Sequence, residues 1–95
     1  MRADSILQDE KKCLVTGATY GLDCHHVYFG NPNRRISDEH GFWVWLRHDV
    51  HMMLHNRMKP FEKLDWELKR ACQQAYEAEG HTREAFSRLI GRNYL

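Results

Sequence analysis

Four histidines carry the chemistry this chain offers: the adjacent pair His25-His26 and, further along, His51 and His55. Neutral imidazole binds borderline divalent metals, and it is the side chain most readily poised as a base near neutral pH. Consecutive strand residues point to opposite faces, so in a regular strand His25 and His26 cannot do the same job. One of them can bind a metal while the other faces a substrate. His51 and His55 stand at i and i+4, on one face of a helix, a spacing that presents two imidazoles to one ion. His48 lies on the same side. Such spacings also arise by chance in a chain with seven histidines. Two readings therefore stay open: a metal centre with a base beside it, or histidines that decorate a surface.

The elements that must position these side chains follow from periodicity and turn residues. Residues 1–12 are polar apart from Ile6-Leu7 and read as a loosely held lead-in. Residues 13–17 read as a short apolar strand ending at Gly17, and residues 22–29 as a second strand. Gly30-Asn31-Pro32-Asn33-Arg34-Arg35 is concentrated turn chemistry and predicts a loop that runs to Gly41. Phe42-Trp43-Val44-Trp45-Leu46 is the most strand-like run in the chain.

From about His48 to Met58 the period turns helical, with Val50, Met53 and Leu54 on the apolar face. Pro60 stops that helix and suits the start of the next. Phe61, Leu64, Leu68, Cys72 and Tyr76 step by three and four, which predicts an amphipathic helix ended by Gly80. Thr82 is an N-cap for a last short helix bearing Phe86, Leu89 and Ile90, closed by Gly91. The expected order is strand, strand, long loop, strand, then three helices.

Ninety-five residues make one domain with little room for a second core. A domain this small needs large aromatics inside, so Trp43 and Trp45 are expected to pack under the helices, with Met52 and Met53. Cys13, Cys24 and Cys72 are odd in number and form no C-x-x-C pair. With no export signal recognised, they read as reduced cytosolic thiols rather than a disulfide frame or a four-cysteine zinc site. No apolar run is long enough to span a bilayer. The net charge of +1 projects no global basic field. Local positives remain: Arg34, Arg35 and Arg92 are candidates for phosphate contact, and equally for a solvated surface.

Taken together, several stretches resemble a known family. They are Cys13-x-x-Thr16-Gly17, His25-His26-Val27, Gly30-x-x-Asn33-Arg34-Arg35-x-Ser37-x-Glu39-x-Gly41, Val44-x-Leu46, His51 and Leu54-His55-Asn56. Leu64-Asp65-x-x-Leu68-Lys69 and Phe86-x-x-x-Ile90-Gly91-Arg92-Asn93-Tyr94-Leu95 follow. In order and spacing they resemble the small HNH-type proteins of bacteriophages and prophages, the His-Me finger or ββα-metal nucleases.

The resemblance implies an α+β fold. A ββα-metal core over residues 13–58, with a β-hairpin and a metal-facing helix, would precede two C-terminal helices over residues 60–95. It implies metal-dependent hydrolysis of DNA phosphodiesters in the cytoplasm of a bacterial host. His26 would be the general base. His25 and His51 would hold a divalent ion (Mg²⁺, Mn²⁺, Ni²⁺ or Zn²⁺), with His55 as a further ligand or phosphate contact.

Two departures accompany it. The Asn that commonly orients the base is absent near Phe42, so Asn33 or a backbone carbonyl would substitute. Thr16, Arg47 and Val50 stand where zinc-binding cysteines would fall, so the fold must rest on its aromatic core. The rival expectation is a catalytically degenerate HNH-scaffold module that binds DNA or a phage or host protein.

Overall fold

The computed structural model describes residues 2–95. Its elements run β1 (Leu22–His26), α1 (Asn33–His40), β2 (Trp43–Arg47), α2 (His48–His55), α3 (Leu64–Ala78) and α4 (Arg83–Ile90). The fold is α+β: one two-stranded antiparallel hairpin and four helices. Leu22 pairs with Arg47 and His26 with Trp43. Strand alternation then sorts the hairpin's side chains. Asp23, His25, Val44 and Leu46 share one face; Cys24, His26, Trp43 and Trp45 share the other.

Each face has its own cover. The first carries α2, whose Val50 and Leu54 join Val44 and Leu46 in the apolar core. α3 and α4 extend that core through Leu68, Cys72, Tyr76, Phe86 and Ile90. Its centre is aromatic: Tyr28 meets Phe42 and Phe86 edge-on, with centroids 5.3 and 5.5 Å apart. Each such ring contributes about 1.5–3 kcal/mol by burial alone. The Tyr28 hydroxyl donates to the Lys69 carbonyl at 2.5 Å, which leaves no orphan polar atom on this ring.

The second face is covered by the lead-in, which corrects two expectations. Trp43 and Trp45 do not pack under the helices. The Trp43 indole donates to the Ala3 carbonyl at 2.8 Å, and the Arg2 guanidinium lies 4.4 Å from its ring. Residues 2–12 are not loosely held either. Ser5 Oγ donates to the Trp43 carbonyl at 2.6 Å, and Gln8 Oε1 accepts from the Trp45 amide at 2.7 Å. The lead-in thus takes up backbone groups along the open edge of β2, where unpaired groups would otherwise recruit another chain.

Two further expectations fail for local reasons. Residues 13–17 are a turn, not a strand. Gly17 N–H donates to the Cys13 carbonyl and Cys13 N–H to the Ala18 carbonyl, closing the chain on itself. The predicted loop from Gly30 to Gly41 holds the helix α1. Pro32 sits at its N-cap position, Ile36 and Ser37 are buried, and Gly41 ends it with φ +75°. Turn residues at its start masked a short amphipathic helix of eight residues, about two turns, that tertiary burial stabilises.

The C-terminal half follows its sequence closely. Thr82 Oγ1 accepts from the Ala85 amide at 3.0 Å, and Gly91 closes α4 at φ +96°. α2 stops at His55, short of Met58, because Arg57 turns left-handed at φ +52°. Met52 is exposed rather than core. Val50 is buried in the core, and Arg47 instead pairs with Asp49 at 2.6 and 2.8 Å. No helix among the described residues is long and apolar enough to cross a membrane.

Candidate metal centre

β1 and α2 bring three of the predicted residues together. His25, His51 and His55 each offer a ring nitrogen, and those atoms lie within 4.8 Å of one another. His51 Nε2 and His55 Nε2 are 3.2 Å apart. Two imidazole nitrogens on one tetrahedral ion, each bound at roughly 2.0–2.1 Å, would sit roughly 3.3 Å apart. The i, i+4 spacing supplies this pair from one face of α2. The strand supplies the third member from beneath.

His25 decides how well the cluster fits an ion. It is only 1% exposed, and its Nε2 is buried without a hydrogen-bond partner, alone in this among the described side chains. An orphaned buried nitrogen of this kind costs about 1–3 kcal/mol. Coordination would remove that cost, because three ring nitrogens this close together can share one divalent ion. Burial, reinforced by the nearby His51, His55 and Lys69 charges, lowers the His25 pKa to about 3. Burial likewise pushes His55 down, with His51 adding to it. Both rings are therefore biased toward the neutral form that can ligate.

Asp23 was not anticipated, and it orients the cluster. Its Oδ2 accepts from His51 Nδ1 at 2.8 Å and from His48 Nδ1 at 2.7 Å. A carboxylate only accepts, so Nδ1 of His51 carries the proton and Nε2 presents its lone pair. The hydrogen bond from His51 holds the Asp23 carboxyl below its usual range against partial desolvation, and His48 adds to it. The signal was present in the sequence. Asp23 and His25 are i and i+2 on one strand, hence on one face.

His26 faces the other way, as alternation requires, toward α1. Its Nε2 lies 2.7 Å from Asp38 Oδ1. Asn33, expected as the orienting group, is engaged elsewhere: its Nδ2 donates to the Ile90 carbonyl at 3.2 Å and ties α1 to α4. The sequence alone does not single out Asp38, because the turn residues that open α1 predict a loop there.

Both histidine faces open into one cleft of about 620 Å³. His25, His26, His51 and His55 line it, together with Arg34 from the first turn of α1. Arg35 is not there; it is exposed and lies 3.8 Å from Glu39. Arg92 is also elsewhere, with its guanidinium 4.6 Å from the Tyr94 ring and 5.4 Å from Trp66. No protein-family model, curated protein or solved structure matches this chain. The remaining histidines are packed on aromatics, His40 on Phe42 and His81 on Tyr76.

Proposed function

We propose that this protein is a divalent-metal-dependent endonuclease that hydrolyses DNA phosphodiesters on the ββα-metal plan of HNH nucleases. In this reading β1, β2 and α2 are the metal-binding core, and α1 is an insertion between the strands. The observation that carries it is the convergence of His25, whose Nε2 is orphaned, with His51 and His55, in one cleft with His26, which Asp38 holds from α1.

His25, His51 and His55 would hold the ion. When bound, it supplies stabilisation of the charge that builds on the scissile phosphate and the leaving oxygen. A nitrogen-only donor set favours a transition ion such as Zn²⁺ or Ni²⁺ over Mg²⁺. His26 is the general base. Asp38 accepts the Nε2 proton, which leaves the Nδ1 lone pair to take a proton from the attacking water. Asp38 also offsets the charge His26 then carries. Arg34 is the phosphate contact that shares the cleft, a role that Arg35 and Arg92 do not share from their positions. A net charge of +1 gives weak non-specific attraction to DNA. Loading by a phage or host protein suits such a chain.

Plasmid nicking with Mg²⁺, Mn²⁺, Ni²⁺ and Zn²⁺, on wild type and His26→Ala, tests this. Cutting in at least one metal, lost in the variant, is expected. No cutting with any ion would leave the rival, a binding module on a degenerate scaffold. Cutting that survives His26→Ala would remove His26 as the base.

A further inference from the structure

A second cleft, of about 410 Å³, adjoins the histidine cleft and shares Phe29 and His55 with it. Two large aromatics line it that the core does not use. Phe29 is 48% exposed and Trp66 45% exposed. Neither is loose. The Phe29 ring meets His55 at 5.4 Å between centroids, and the Lys69 ammonium lies 4.1 Å from its centre. Trp66 meets Tyr94 edge-on at 5.4 Å and carries the Arg92 guanidinium at 5.4 Å. What sets these two rings apart from ordinary surface aromatics is that both line one cleft beside the histidine centre.

The polar lining says what kind of group would do so. Glu62, Asp65 and Arg57 line the cleft, so it carries no net positive charge to select a phosphate. Asp65 is already paired with Lys69. Glu62 offers acceptors and Arg57 donors. An acceptor and a donor beside two aromatic faces complement a flat heterocycle with amine and carbonyl edges. Such edges are free on an unpaired base and taken up in a duplex.

We propose that the cleft between Phe29 and Trp66 is a subsite for one unpaired nucleobase, placed next to the histidine centre. The substrate strand would then be single-stranded or frayed at the cut site. This rests on the nuclease reading for its biological sense, but its test does not need cleavage.

The test is equilibrium binding in EDTA, so that nothing is cut. The probes are a fluorescein-labelled single-stranded oligodeoxynucleotide and the same sequence closed into a blunt hairpin. Wild type is expected to bind the single strand more tightly than the hairpin. Trp66→Ala and Phe29→Ala should each weaken single-strand binding about tenfold, the loss expected for one stacked base. Trp66→Phe should restore most of it, and hairpin binding should stay unchanged throughout. Thermal melts identify any variant that fails to fold, and Trp66→Phe then carries the comparison through loss of base-induced fluorescence quenching.

Equal affinity for both probes, or single-strand binding indifferent to all three variants, overturns the proposal. Trp66-dependent binding in a protein that nicks no plasmid with any metal supports the subsite and removes the nuclease reading alone. Robust nicking with aromatic variants that bind and cut like wild type does the reverse.

Discussion

Oδ2 of Asp23 accepts the Nδ1 proton of His51 at 2.8 Å, and that one bond determines which nitrogen of His51 faces His25 and His55. Removing it should loosen the ring and mix its tautomers. Asp23→Ala is expected to weaken Zn²⁺ or Ni²⁺ binding by about 10- to 100-fold, the usual effect of losing such a support. His48→Ala, which removes the second donor to the same oxygen but no member of the cluster, should change affinity far less. Titration calorimetry of both variants checks this, and equal affinities for Asp23→Ala and wild type would count against the centre.

In the proposed mechanism, the His26–Asp38 pair separates base from ligands. Asp38→Ala leaves the three-histidine cluster intact but frees the His26 ring. Nicking should slow by about 10²-fold, within the range of a positioned general base, while metal affinity stays put. Initial nicking rates set beside calorimetry decide it. A variant that loses metal binding too would show that Asp38 supports the cluster rather than the base.

Acid should destabilise the metal-free protein early. Unfolded His25 binds a proton as pH falls through its ordinary value of 6.5, whereas folded His25 resists until about 3. The unfolded state therefore holds more protons in this window, so stability rises with pH and is lost on acidification. One such group gives a slope of about 1.4 kcal/mol per pH unit. His55, also pushed down, acts in the same direction. Asp23 acts only lower, losing its contribution as pH falls below its ordinary 3.8. Urea melts in EDTA between pH 6.5 and 4.5 should show this slope, and His25→Phe should flatten it by about one proton. A flat wild-type profile would contradict the burial of a neutral His25.

Gly41 links the lead-in to α1. It ends the helix at φ +75°, and a methyl there would overlap the Asp4 carbonyl. Gly41→Ala should therefore cost about 1–2 kcal/mol from the left-handed backbone alone, and should also lift residues 2–12 off Trp43. Thermal melts and trypsin cleavage at Arg2, Lys11 and Lys12 report the two effects. Unchanged cleavage would show that the lead-in is held without this contact.

Local rules made much of the architecture legible. The run from Trp43 to Leu46 reads as a strand because β-branched and aromatic residues follow one another without a break. α3 and α4 read as helices because apolar residues recur every three or four positions and Thr82 and Gly91 mark the ends of α4. α1 was hidden because its first residues favour turns, and its stability comes from burying Ile36 and Ser37 against distant elements. The place of Trp43 and Trp45 was hidden likewise. Alternation puts both on one face, but it cannot say whether helices or the lead-in will cover it.

The candidate site divides along the same line. By itself the sequence determined that His51 and His55 share a helix face and that His25 and His26 oppose each other, because those are properties of the 3.6- and 2-residue repeats. Only the tertiary structure decided that His25 meets the helix pair, that Asp23 orients His51, and that Asp38 rather than Asn33 reaches His26. Each of these depends on the pairing of β1 with β2 and on where α1 and α2 dock. Docking is decided by burial summed over the whole core, which no short window of residues contains.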